Sequence, residues 1–126
     1  LFTSICEMCF ASGTGARIHL DEVGDDDLAA LFSEELGAVL QIREADEEAV
    51  RATLSEYGLS ECTLRLGSLD ERIVFERGGR EVFADSREVL RDLWSETTRR
   101  IQGLRDHPQP RPPSRDRGSR SHDIPL

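Results

Sequence analysis

Two cysteines three residues apart, Cys6 and Cys9, form the first pattern in this 126-residue chain that could do chemistry. On a helix that spacing sets both sulfurs on one face, as a redox pair or half of a zinc site requires. No second pair follows, because Cys62 stands alone, and Phe2, Ile5 and Met8 around the pair have core character. Buried thiols packed as small apolar groups are therefore expected. Glu34 and Glu35 could hold magnesium or act as acid and base, but neighbours on a helix point about 100° apart and do not converge on one atom. Asp25, Asp26 and Asp27 also invite a metal, yet they stand where the unpaired amides and positive dipole end of a new helix favour carboxylates. His19 has no partner at catalytic spacing, and His107 and His122 fall at or beyond the end of the patterned sequence. Gly13 and Gly15 make a GxG without the remainder of a dinucleotide or phosphate-loop motif, and read as turn residues. From residue types and spacing the chain has no catalytic, cofactor-binding or metal-binding residue to name.

The elements that would have to position such groups are legible from periodicity. Leu1 to Ala11 has apolar residues at spacings of three and four, the end of a helix stopped by Gly13 and Gly15. Ala16 to Leu20 alternates Ala16, Ile18 and Leu20 with Arg17 and His19, the period of a half-buried strand. A second helix is expected from the aspartates through Leu28, Leu31, Phe32 and Leu36, with Gly37 as a left-handed stop. Ala38, Leu40 and Ile42 then alternate with Val39, Gln41 and Arg43, which predicts an aliphatic strand central to its sheet. Asp46 is placed to cap a third helix with Val50, Leu54 and Tyr57 inward and Gly58 at its end. Three strands are expected next, at Cys62 to Leu66, Arg72 to Glu76 and Glu81 to Phe83, the last two joined at Gly78 and Gly79 as a hairpin. Asp85 with Glu88 forms a capping-box-like start to the longest helix, whose inner face would be Leu90, Leu93, Trp94, Thr97, Ile101 and Leu104. This order predicts an α+β domain with a mixed, mainly antiparallel sheet covered by helices on one face.

Composition narrows the function. The chain carries a net charge of −9, and all 16 basic residues are arginine. The charge is unevenly divided: residues 1–107 hold 12 Arg against 23 Asp and Glu, and residues 108–126 hold 4 Arg against 2 Asp. An acidic body repels nucleic-acid phosphates and anionic lipid, so no nucleic-acid or membrane partner is expected. No apolar run approaches the roughly 18 to 20 residues that cross a bilayer. An odd number of cysteines without an export signal points to a reducing, cytoplasmic setting. The first residues read as the interior of a helix, as though the chain were cut from a longer one. All five prolines lie in residues 108–126 among Arg, Ser and Asp, a composition expected to remain disordered.

Three ordered blocks carry a family resemblance: CEMCFASGTG, GDDDLAALFSEELGAVLQIR and FADSREVLRDLWSETTRRIQGLRDHP. Together, from Leu1 to Pro108, they resemble phosphoribosylformylglycinamidine synthase in its large single-chain form. The resemblance implies an aminoimidazole ribonucleotide synthetase C-terminal-like domain over residues 1–107, the covering subdomain of the second synthetase half, followed by the tail 108–126. It implies a parent ligase that uses ATP, Mg2+ and glutamine to convert formylglycinamide ribonucleotide to formylglycinamidine ribonucleotide. The partners so implied are the rest of the synthetase and a glutaminase domain in cis. The family's Asp-x-Ser-Asp-Gly-Gly nucleotide and magnesium segment would precede Leu1, and its glutaminase Cys, His and Glu would follow the C-terminus. No family catalytic residue therefore maps onto this chain, which alone is expected to bind no cofactor and to be inactive. Two departures stand out: ASGTG at residues 11–15, and the Arg/Pro/Ser composition after Pro108. The alternative is an independent α+β interaction or small-ligand binding module, as in the related selenophosphate synthetase or thiamine monophosphate kinase superfamily.

Overall fold

A computed structural model describes residues 1–106, the side chain of Thr97 excepted. The expectations for Thr97 and for the tail 108–126 lie outside the described residues. Two units are distinguished, Leu1–Ser95 and Glu96–Leu126, and the sheet and core described below belong to the first.

Helix α1 (Phe2–Ser12) ends where Gly13 turns left-handed at φ 76° and its N–H donates to the Cys9 carbonyl, a stop that costs glycine nothing because it has no Cβ. Strand β1 (Gly15–His19) follows, then α2 (Asp27–Phe32), α3 (Glu47–Glu56), β2 (Gly67–Asp70), β3 (Ile73–Arg77), β4 (Arg80–Asp85) and α4 (Arg87–Asp106). The four strands form one sheet in the order β2-β1-β3-β4. β1 is antiparallel to β2 and parallel to β3, with Ala16 opposite Leu69 on one side and Ile73 on the other. β3 and β4 form the expected hairpin, with a bulge at Phe75 and Glu76 and both turn glycines at positive φ. The class is thus the α+β, mixed-sheet architecture read from the sequence.

Alternation sorts the sheet into two faces. Ile18, Leu20, Ile73 and Phe75 face α1 and α2, where Ile5, Cys6, Cys9 and Leu31 complete a buried cluster. Phe75 is wholly buried and its ring centroid lies 5.2 Å from that of Phe2. Arg17 and His19 project from the opposite face, together with Ser68, Asp70, Val74 and Glu76 by register.

Several expectations are corrected. Helix α2 has only six residues and buries Leu31 alone. Ser33 leaves the helix in an extended conformation (φ −64°, ψ 138°), which takes Leu36 out of the helical register. Gly37 is absent from the left-handed region. Residues 38–43 form no strand, and Leu40 and Ile42 are exposed. The central places in the sheet, where this segment is expected, are held by β1 and β3, each paired on both sides. The segment Cys62 to Leu66 is likewise no strand: Ser60–Cys62 is a 3-10 turn, and β2 begins at Gly67. Helix α3 starts after Asp46 and ends before Gly58 as expected, but it buries no residue, and Asp46 pairs with Arg43 instead of capping. In α4, the longest helix, Leu90 packs against the core, whereas Leu93, Trp94, Ile101 and Leu104 are exposed. The hydroxyl that accepts from the first turn of α4 is that of Ser86, 3.2 Å from the Val89 amide, and not the carboxylate of Asp85.

Candidate functional site

The cysteine pair is settled by burial. Cys6 and Cys9 are 5% and 4% exposed on the inner face of α1, and both are free thiols. Burial pushes the Cys6 thiol up to about 11, with the neighbouring Cys9 and Glu7 adding to the effect. Burial also raises Cys9, against the opposing charge of Arg87. A thiol held protonated and out of solvent is neither a nucleophile nor a ready metal ligand at neutral pH. Among the described residues no group of three or more His, Cys, Asp or Glu side chains is placed to hold a metal ion.

The aspartate run divides its work. Asp26 caps α2, its Oδ1 accepting from the Ala29 amide at 2.7 Å. Asp27 receives Arg77 Nε at 2.6 Å and Arg80 Nη2 at 3.3 Å. Arg77 also donates through Nη1 to the Gly24 carbonyl, and Asp21 accepts from the Gly78 amide, so the loop before α2 is fastened to the β3–β4 turn. Asp26, with Asp27 in the first turn, fits the helix-start reading, while the pairing of Asp27 with Arg77 and Arg80 is not part of it.

A cross-strand set of ion pairs that no short motif announces lies on the other face of the sheet, away from α1 and α2. Arg17 donates to Asp70 at 3.0 Å and to Glu76 at 2.6 Å, with Glu81 at 4.0 Å. His19 Nδ1 lies 2.9 Å from the other oxygen of Glu76, and Arg72 bridges to Glu81 at 2.8 Å. Hydrogen bonds to Glu76 and Asp70 hold the Arg17 guanidinium above its ordinary range. The backbone N–H of Arg72, followed by the Arg17 side chain, holds the Asp70 carboxyl below its usual range. Arg17 and Arg72 are each paired with carboxylates of the chain itself, so neither guanidinium of the set is left over for a phosphate. Its signal was the polar side of β1, Arg17 and His19, but the partners are more than 50 residues away.

Glu34 and Glu35 occur outside any helix and line an open cleft of about 510 Å³ beside the start of α1. Leu31, Phe32 and Leu36 give it apolar lining, and Thr3 and Ser4 contribute hydroxyls. Its lining thus combines apolar side chains, hydroxyls and two carboxylates, with no nucleophile–base–orienter set among them.

No helix among the described residues is long and apolar enough to cross a membrane. Residues 1–69 match the family described as AIR synthase related protein, C-terminal domain. The match runs from α1 into β2 and takes in more than half of the 126 residues. The AIR synthase-related enzymes are ATP-dependent ligases and synthetases of the purine-pathway type. With an α+β sheet of matching class and an extended family match over its α1-to-β2 half, the chain belongs to the AIR synthase related family, through its C-terminal domain.

Proposed function

We propose that the chain serves as a structural subdomain of phosphoribosylformylglycinamidine synthase, the ligase that converts formylglycinamide ribonucleotide to formylglycinamidine ribonucleotide with ATP and glutamine. The observation that carries this reading is the combination of a family-type core with large apolar side chains left in solvent. Leu28, Phe32, Leu36 and Leu40 are all more than half exposed within a stretch of thirteen residues, an arrangement that suits burial against further protein. The resemblance in the three sequence blocks selects this enzyme within the family.

ATP and Mg2+ do not fit the described residues. Ten arginines are already ion-paired to the chain's own acids, and no glycine-rich loop opens onto a helix with a lysine to receive phosphates. On this reading the nucleotide, the metal and the glutaminase chemistry are supplied by other parts of the parent, and this chain contributes shape and contact surface.

The test is an assay of purified 1–126 for ammonia- or glutamine-dependent consumption of ATP with formylglycinamide ribonucleotide. No turnover is expected, and measurable turnover would defeat the scaffold role. The competing reading, an independent interaction module, is favoured by a buried cluster contained wholly within Leu1–Ser95. Sizing and limited proteolysis separate the two: self-association through the exposed apolar residues supports the subdomain, and a monodisperse, protease-resistant monomer supports the module.

A further inference from the structure

The cleft beside α1 combines three properties. First, its apolar part is graded: Leu31 is 5% exposed, Phe32 is 57% exposed and Leu36 is fully exposed. Second, it is held in shape. The Phe32 ring is stacked at a tilt on Phe2, with centroids 5.4 Å apart, and Phe2 in turn contacts the buried Phe75. An exposed aromatic already packed against a neighbouring ring loses less conformational entropy on binding than one without such a contact. Third, its charge is unbalanced. Glu34 and Glu35 line it without a hydrogen bond or ion pair to any described residue, no arginine lines it, and the single cation beside it, the Leu1 α-ammonium, donates to the Leu31 carbonyl at 3.2 Å, which leaves the carboxylates in excess.

We propose that this cleft docks a segment of a protein partner that carries apolar side chains flanked by arginine or lysine. Apolar contact with Leu31, Phe32 and Leu36 supplies the affinity, while Glu34 and Glu35 supply register and discrimination, the division expected where charges stay solvent-exposed. The openness of the cleft, with hydroxyls and unpaired carboxylates beside the apolar lining, suits a chain segment laid along it better than an enclosed small molecule. The inference rests on the scaffold reading only for where the partner comes from, namely the remainder of the parent ligase.

The experiment titrates isotope-labelled 1–126 with a short synthetic peptide in which leucine alternates with arginine, and with its counterpart in which glutamate replaces arginine, following backbone amide shifts. The expected result is saturable shifts at residues 31–36 and at Thr3 and Ser4 with the basic peptide only, weakening as salt rises. Glu34→Lys with Glu35→Lys should reduce affinity about tenfold, as two exposed ion pairs would, and Phe32→Ser should remove most of the binding. Circular dichroism of both variants checks that these exposed substitutions leave the fold intact. Equal binding of the acidic peptide, shifts centred elsewhere, or no binding of either peptide overturns the proposal. Turnover by 1–126 alone would sink the scaffold reading and leave the cleft standing, so the two failures are distinct.

Discussion

Replacing Phe75 by alanine tests the core assignment most directly. The side chain has no exposed surface, and its ring meets Phe2 at 5.2 Å and Phe83 at 6.4 Å between centroids. Burying about 150 to 200 Å² of aromatic surface at about 25 cal/mol per Å² contributes about 4 to 5 kcal/mol. Removing it should therefore cost about 4 kcal/mol, within the usual span for buried Phe→Ala. Phe32 is the internal control, because it touches the same Phe2 ring at 5.4 Å yet is 57% exposed. With under half of its area removed from water, Phe32→Ala should cost about 1.5 kcal/mol. Urea denaturation followed by far-ultraviolet circular dichroism reads both. At about 2 kcal/mol per molar the midpoints should fall by about 2 M and by under about 1 M. Since a loss of about 4 kcal/mol rivals the total stability of a small domain, Phe75→Leu serves where the alanine variant lacks a folded baseline; it should cost about 1 to 1.5 kcal/mol. If Phe32→Ala equals or exceeds Phe75→Ala, the β3 ring is not the centre of the core and the assignment of faces is wrong.

Other expectations follow from single geometries. A Cβ on Gly67 would lie 1.8 Å from the Arg17 carbonyl oxygen, while one on Gly37 meets nothing within 4 Å. Gly67→Ala should thus cost about 2 to 3 kcal/mol by parting β2 from β1. Gly37→Ala should be neutral or stabilising by about 0.5 kcal/mol in the same urea titration, the reverse of what a left-handed stop would give. Ser86→Ala should lose about 1 kcal/mol as a capping hydroxyl, and a larger loss from Asp85→Ala would move the cap to Asp85. With iodoacetamide at pH 8, mass spectrometry should find Cys62, which is exposed, labelled first. Cys6, titrating at about 11, has about one thiolate per thousand at that pH. The unfolded thiol titrates near 9.0 and the folded one near 11, so between those values the folded state keeps a proton that the unfolded state has lost. Its contribution should leave stability level below about pH 9 and lower it as pH climbs toward 11, and a urea midpoint rising over that window would contradict the buried thiol.

What could be read from the sequence was local in origin. Gly13 and Gly58 stop helices because only glycine enters the left-handed region without strain. Gly78 and Gly79 turn the β3–β4 hairpin for the same reason, and Asp26 caps α2 through an amide three residues away. Ile18, Ile73 and Phe75 could be assigned to strands because the two-residue period is written into neighbouring positions. Burial of the Cys6–Cys9 pair was legible from its apolar neighbours. The candidate cleft was not, because Glu34, Glu35 and Leu36 were read as helical and only the early end of α2 at Phe32 turns them outward.

The sequence by itself determined the α+β class, the α1, β1 and hairpin elements, and the absence of a recognisable catalytic motif, all properties of residues within a few positions of one another. The tertiary structure decided which strands pair and which segment pairs with none. β1 takes β2 and β3 as neighbours, from about 50 residues further along the chain, and the strongly strand-like residues 38–43 are left out. It also decided that Arg17 and His19 meet Asp70, Glu76 and Glu81 across the sheet. The physical reason is that hydrogen-bond ladders and cross-strand ion pairs depend on which distant segments come together in the sheet, a global competition that no local pattern encodes.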